Sequence, residues 1–252
     1  MNKTLKIIIG ASAVALAGLA LAAGGLYLSA DRSVTDLPSG FTVTAHTGCE
    51  GTEDNSLEAI HKGAEAGADT VEFDLRFDMS GMGILAHDEY EENPVSLSEA
   101  LKAVSQYDTI TVNVDCKTTD NLTEVYRLGE EYGITDRLFY TGIEEKGVEA
   151  ARTQTPEIPY FLNYSADKSK KNDEEYISSL ISLVKEKGAV GINLKYSRCS
   201  KTMVRMFREQ GLLVSVWTAN DIFTMLKCIS FAPDNITTRH PSALIKLINR
   251  LK

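Results

Sequence analysis

Along this chain the hydrophobic positions switch repeatedly between two spacings. Short runs rich in β-branched residues give way to stretches whose apolar residues recur every three or four positions, with a turn signal before the next run. The first run, Phe41–His46, predicts a strand; Leu57, Ile60 and Ala64 then share one face of a helix that starts near Ser56 and ends at Gly67. Thr70–Phe77 predicts the second strand, and the Gly81–Gly83 turn returns a short extra strand, Ile84–His87. Ser96-Leu97-Ser98-Glu99 has the spacing of a capping box, in which each side chain accepts the other residue's backbone N–H, and it opens a helix through Val104. Further strands are predicted at Thr109–Cys116, Arg137–Tyr140, Tyr160–Asn163, Val190–Leu194, Leu212–Trp217 and Asn235–Thr238. The helices that follow them are predicted at Leu122–Tyr132, Lys146–Arg152, Asp173–Lys187, Ser200–Gln210, Asp221–Ile229 and Ser242–Leu251. In Asp173–Lys187 the residues Ile177, Leu180, Ile181 and Val184 form one apolar stripe.

Strand–helix units that alternate in this way imply a parallel sheet with right-handed crossovers. Eight of them within roughly 220 residues imply a closed (β/α)8 barrel more readily than an open sheet. No Gly-x-Gly-x-x-Gly follows the first strand, which weakens a dinucleotide-binding reading. The barrel domain is expected over 40–252, with a small extra strand pair after the second strand and a polar linker, 31–39, before it.

The first thirty residues break the pattern. Lys3 and Lys6 precede an uncharged run from Ile7 to Ala30, roughly 24 residues, long enough to cross a bilayer as a helix. Ala20-Leu21-Ala22 offers a signal-peptidase site, but a signal core is usually about 7–15 residues, so 1–30 reads better as an uncleaved transmembrane anchor. Positive charge before the span keeps the N-terminus inside and puts the domain outside the cytoplasm, or secretes it if the segment is cleaved. A formal net charge of -9 and the absence of a basic stripe exclude nucleic acid as a partner. Cys49, Cys116, Cys199 and Cys228 have no paired short spacing, so a zinc site is not indicated and buried free thiols are expected.

Composition adds less than the placement of a few polar residues. In a barrel of this kind chemistry gathers at the C-terminal ends of the strands. His46 ends the first strand, His87 the extra strand, and Trp217 the seventh. Glu72 and Asp74 are two apart on one strand, Asp115 and Lys117 two apart near the end of the next, so each pair points to one face. Inward carboxylates are costly unless something neutralises them. Mg²⁺ or Ca²⁺ does so with carboxylate oxygens; the alternative is a structural ion-pair network with Lys117, Lys195 and Arg76. Two histidines at the same rim favour the metal, since they supply an acid and a base near neutral pH. His61 and His240 read as structural or surface residues. Trp217 either walls a substrate pocket or packs the barrel.

The ordered series of motifs resembles the glycerophosphodiester phosphodiesterase family over nearly everything after residue 40. It runs His46-Thr47-Gly48, Asp54-Asn55-Ser56, Gly67-Ala68-Asp69, Glu72-Phe73-Asp74, His87-Asp88, Asn113-Val114-Asp115-Cys116-Lys117 and Val216-Trp217-Thr218-Ala219-Asn220. The resemblance implies a TIM (β/α)8 barrel that hydrolyses glycerophosphodiesters, or lysophospholipid-like phosphodiesters, to an alcohol and glycerol 3-phosphate. It implies His46 and His87 as the acid–base pair, Lys117 on the phosphate, and Asp54, Glu72, Asp74 and Asp115 as ligands of a divalent cation, Mg²⁺ or Ca²⁺. It also implies attack by a glycerol hydroxyl on phosphorus, with a cyclic phosphate that water opens. The chain departs from the family pattern at four places: Thr47 stands for an arginine, Asp54 and Asp115 for glutamates, and Arg239 for an aspartate. The competing reading is a catalytically impaired barrel that binds or scaffolds at a membrane; glycerol 3-phosphate release separates the two.

Overall fold

The computed structural model describes residues 37–89 and 91–251. The expected anchor, 1–30, and most of the linker lie outside these residues; among the described residues no helix is long and apolar enough to cross a membrane. The strands are β1 (Thr42–Ala45), β2 (Thr70–Phe77), β3 (Gly83–Leu85), β4 (Thr111–Cys116), β5 (Leu138–Ile143), β6 (Tyr160–Asn163), β7 (Gly191–Lys195), β8 (Leu213–Trp217) and β9 (Asn235–Thr238). The helices are α1 (Leu57–Glu65), α2 (Leu97–Val104), α3 (Leu122–Tyr132), α4 (Val148–Gln154), α5 (Glu174–Lys187), α6 (Lys201–Glu209), α7 (Ile222–Phe231) and α8 (Pro241–Leu251).

Eight parallel strands, β1, β2 and β4 to β9, pair in that order, and β9 pairs back to β1, so the sheet is a closed barrel ringed by helices. The short strand β3 is appended antiparallel to the end of β2, with Leu75 opposite Leu85. Because side chains alternate across a strand, the ring separates two chemistries. Val43, Val71, Phe73, Val112, Val114, Leu162, Ile192, Val214 and Ile236 are buried, as are Ile60, Leu101, Val125, Leu180, Phe207 and Leu244 on the helices, and together they make the apolar layer between strands and helices. The inward positions carry polar residues instead: Thr44, Glu72, Asn113, Thr141, Asn193, Ser215, Asn235 and Thr237, all buried. Several of them satisfy one another. Asn235 Oδ1 accepts from Thr42 Oγ1 at 2.9 Å and Thr44 Oγ1 at 2.7 Å, while its Nδ2 donates to Ser215 Oγ at 2.9 Å, stitching the seam where β9 meets β1.

Helix starts follow the sequence closely, because caps are local. Ser56 accepts from the Ala59 amide, Asp173 from Tyr176, Ser200 from Met203, and Ser96 with Glu99 forms the expected capping box. Strand ends differ more. Ile84–His87 shrinks to Gly83–Leu85, so His87 lies two residues past the strand on the loop. Arg137–Tyr140 shifts to Leu138–Ile143, because Thr135–Arg137 winds into a 3₁₀ turn from which Arg137 donates to the carbonyls of Tyr107 and Ile110. Lys146–Arg152 likewise divides into a 3₁₀ turn, Glu145–Gly147, and α4.

Candidate active site

A pocket of about 410 Å³ opens at the C-terminal rim of the barrel, within the usual range for small-molecule sites. His46, Asp54, Glu72, Asp74, His87, Asp115, Lys117 and Trp217 all line it. The fold therefore brings every sequence-selected site residue to one cavity, though not into one cluster.

The cluster itself has three acids. Glu72 and Asp74 share the inner face of β2, and parallel pairing sets Asp115 of β4 directly beside Asp74. One oxygen from each lies within 4.8 Å of the others. Burial pushes the Glu72 carboxyl up to about 7; Asp74 and Asp115 push the same way, against the opposing pull of His46 and of the Thr47 amide. Thr47 N donates to Glu72 Oε2 at 2.8 Å. Asp74 is gripped by Asn55, whose Nδ2 donates to Oδ2 at 3.0 Å and whose Oδ1 accepts from the Asp74 amide at 3.0 Å. Asn55 does this from a left-handed backbone (φ 57°), a conformation asparagine tolerates. Thr141 Oγ1 donates to Asp115 Oδ1 at 2.8 Å.

Lys117 lies inside this arrangement. Its Nζ is 2.8 Å from Asp74 Oδ1 and also bonded to Asp115 Oδ2. Burial would depress the ammonium, but Asp115 and Asp74 outweigh it and hold its pKa above the ordinary value. The other two cations weighed for a structural network do not join: Lys195 is exposed, and Arg76 Nε donates to the His87 carbonyl at 3.0 Å.

The two histidines are held differently. His46 Nδ1 is 2.9 Å from the Thr47 carbonyl. A carbonyl only accepts, so Nδ1 carries the hydrogen and Nε2 is left as the acceptor. Glu72 Oε2 is 3.9 Å from the same nitrogen. His87 is far more open, with 67% of its side chain exposed, and its Nδ1 sits 3.0 Å from Asp88 Oδ1.

Asp54, expected to complete the metal-binding set, is the member the fold does not bring to it. Its carboxylate forms a two-pronged pair with Arg239, Nη1 to Oδ1 at 2.8 Å and Nη2 to Oδ2 at 2.9 Å, at the pocket mouth. Gly48 makes room for this pair: at φ 70°, a Cβ there would fall 2.0 Å from Asp54 Oδ1 and 2.7 Å from Arg239 Nη1. The asparagines Asn55, Asn113, Asn163 and Asn193 were passed over as site residues. For two of them the signal was the period of two: Asn113 precedes Asp115 by two and Asn193 precedes Lys195 by two on their strands. Asn193 Nδ2 donates to Asn163 Oδ1 at 2.9 Å, and Asn193 Oδ1 is buried with no partner among the described residues.

The three acids fit a hard divalent cation. All donors are carboxylate oxygens, and Glu72, raised first by burial and then by Asp74 and Asp115, is a carboxylate that such an ion would stabilise in its charged form. Lys117 neutralises part of that charge and competes for the carboxylates of Asp74 and Asp115.

Comparison with known proteins supplies the wider setting. The model of the glycerophosphoryl diester phosphodiesterase family matches residues 40–93 and 95–243. No curated protein matches the sequence. Solved structures share the fold at low identity. An Oleispira antarctica phosphodiesterase, in complex with its product sn-glycerol-3-phosphate, superposes with a TM-score of 0.69 at 20% identity, over 84% of this chain and 97% of that one. Glycerophosphodiester phosphodiesterases from Parabacteroides distasonis (TM-score 0.68, 17% identity, 84% and 98% covered) and Thermotoga maritima (0.65, 20%, 82% and 98%) are similar to the same extent.

Proposed function

Because the chain belongs to the glycerophosphoryl diester phosphodiesterase family, we propose that it hydrolyses small glycerophosphodiesters, or lysophospholipid-like phosphodiesters, to an alcohol and glycerol 3-phosphate. The observation that carries this reading is the meeting of three carboxylates within 4.8 Å, two histidines and a lysine in one cavity.

Each residue has a share. Glu72, Asp74 and Asp115 would hold a divalent cation, Mg²⁺ or Ca²⁺; when bound, it supplies Lewis-acid polarisation of the phosphate and a template for the ester. Counted with Asp54, the pocket's four carboxylates outnumber the two fixed cations, Lys117 and Arg239. A phosphodiester anion is repelled by that excess, and a dication offsets it. His46 acts as base: its Nδ1 hydrogen on the Thr47 carbonyl leaves Nε2 as acceptor, and Glu72 stabilises the ring once charged. His87 acts as acid toward the departing oxygen, with Asp88 accepting its Nδ1 hydrogen. In the two-stage scheme, His46 takes the hydrogen of a glycerol hydroxyl as it attacks phosphorus, His87 protonates the leaving alcohol, and the roles reverse as water opens the cyclic phosphate. Lys117 stays between Asp74 and Asp115, and the one ammonium hydrogen those acids leave free is its contact for a phosphate oxygen. Trp217, 37% exposed at the rim, offers a flat apolar wall to the leaving group.

The test is release of glycerol 3-phosphate from a panel of glycerophosphodiesters with Mg²⁺, Ca²⁺ or Mn²⁺. His46→Ala is expected to lose at least about 100-fold in rate, the usual size of a general-base contribution. No turnover of any member by the wild-type protein would return the impaired-barrel reading. Phosphorus NMR tells hydrolysis from arrest at the cyclic product. Anchoring through 1–30, with the domain outside the cytoplasm, rests on the apolar run Ile7–Ala30 and on Lys3 and Lys6 before it; extraction of membranes with alkaline carbonate should leave an anchored protein in the pellet.

A further inference from the structure

We propose that Arg239 is the residue that grips the non-bridging phosphate oxygens of the substrate, and that Asp54 is its positioning partner rather than a metal ligand. The inference rests on the phosphodiesterase reading above and adds to it a binding residue outside the acid–base pair and the carboxylate cluster.

The argument starts from which cations in the pocket have hydrogens to give. Lys117 has three N–H donors and gives two to acids, one of them almost wholly buried, so it has one left for a phosphate and cannot leave those acids without uncovering buried charge. Thr47 offers nothing: its amide goes to Glu72 and its hydroxyl to Asn55. Arg239 is placed otherwise. Its guanidinium has five N–H donors, and the Asp54 fork uses two. The pair is at the rim, with 36% of the Arg239 side chain and 49% of the Asp54 side chain exposed, so solvent screens it and a phosphate can compete without uncovering a buried charge.

The guanidinium is also aimed. The Arg239 amide donates to Asn220 Oδ1 at 2.9 Å, and its carbonyl accepts from the Glu50 amide at 2.8 Å. One residue earlier, the Thr238 carbonyl accepts from the His46 amide at 2.9 Å, which fixes Arg239 on the side of the pocket where the base sits. Gly48 leaves the space that the fork fills. Asp54 holds the Arg239 charge above its ordinary pKa and fixes the plane of the fork. A planar fork matches two phosphate oxygens as a lysine cannot. On the metal side, the acids that approach one another within 4.8 Å are Glu72, Asp74 and Asp115, and Asp54 is not among them.

Calorimetric titration separates the two roles without relying on turnover. Inorganic phosphate and Mn²⁺ are titrated separately into the full-length wild type, Arg239→Gln, Arg239→Lys, Asp54→Asn and Asp115→Asn. Arg239→Gln should weaken phosphate at least about tenfold and leave Mn²⁺ within about twofold, with Arg239→Lys recovering only part because it loses the fork. Asp54→Asn should weaken phosphate several-fold and leave Mn²⁺ within about threefold, whereas Asp115→Asn should weaken Mn²⁺ at least about tenfold. In the hydrolysis assay Arg239→Gln should raise KM far more than it lowers kcat. Phosphate binding to Arg239→Gln at wild-type strength overturns the proposal, as does a loss of Mn²⁺ in Asp54→Asn equal to that in Asp115→Asn. A wild type that neither binds phosphate nor releases glycerol 3-phosphate removes this proposal and the hydrolase reading together. A wild type that turns over, beside an unaffected Arg239→Gln, removes this proposal alone.

Discussion

Glu72 is 5% exposed, with Asp74 and Asp115 on one side and only a histidine 3.9 Å away and one amide hydrogen on the other. Its carboxyl rises from 4.5 to about 7, with burial the largest cause. The native state therefore holds a proton that the unfolded chain has released between those two values. Stability from this group is fully present below about 4.5 and is lost as pH rises to about 7. Thermal melts in EDTA should show a midpoint that falls across this interval from this group, and Glu72→Gln should remove that slope. Added Ca²⁺ or Mg²⁺ should raise the midpoint most at pH 7 and above, where the carboxylate is ionised and needs a partner. Individual residues were legible in sequence where the period of two marked them: Glu72 with Asp74, and Asp115 with Lys117. Asp54 was not, because it lies on a loop, and nothing local says whether a loop carboxylate turns to an acid cluster or to an arginine 185 positions away.

At the scale of elements, the contact of α1 with the barrel shows how little slack the apolar layer has. Gly63 of α1 faces β1 and β2, and a Cβ there would lie 2.8 Å from Ala45 Cβ and 3.0 Å from Val71 Cγ1. Gly63→Ala would gain up to about 1 kcal/mol in helix propensity. Ala45 Cβ has no rotamer to yield, however, and overpacking costs roughly 1–3 kcal/mol. The net expectation is a destabilisation of about 1 kcal/mol or more, read as a lower urea midpoint with an unchanged slope. Because β1 leads into His46, the same variant should also lower kcat. Helices were read well from sequence because their caps and 3.6-residue stripes are written within a few neighbours. Strand ends were read less well. Thr135–Arg137 and Glu145–Gly147 close as 3₁₀ turns whose local polarity resembles that of the flanking elements, and the length of β3 depends on where β2 stops offering it a partner.

The described domain is built on a ring of strands, and a ring shares its integrity among all its strands. Its four cysteines lie in the turn after β1, on β4, before α6 and within α7, the last two near enough to share one sector, and all are free and buried. Burial raises the thiols of Cys199 and Cys228 to about 12 and that of Cys49 to about 11, so little thiolate exists at neutral pH. A thiol reagent at pH 8 should label none of them in the native protein. In increasing urea all four should become reactive over the same narrow range in which the far-ultraviolet circular dichroism is lost. Early labelling of one cysteine would show that its sector of the ring opens by itself.

The amino-acid sequence alone carried the alternation of strand and helix, the count of eight units, the caps, and the inward pairs of acids, since each of these is a relation among near neighbours and follows from the geometry of one strand or one helix. It also carried the family, through motifs kept in order. Only the closed barrel decided what the side chains at its mouth do to one another. Closure set β9 beside β1, and with it Arg239 beside Asp54 and Gly48; parallel register set Asp115 beside Asp74 and left Lys117 between them. Charges that meet across such a ring interact through space and shared burial, and neither quantity is a property of sequence separation.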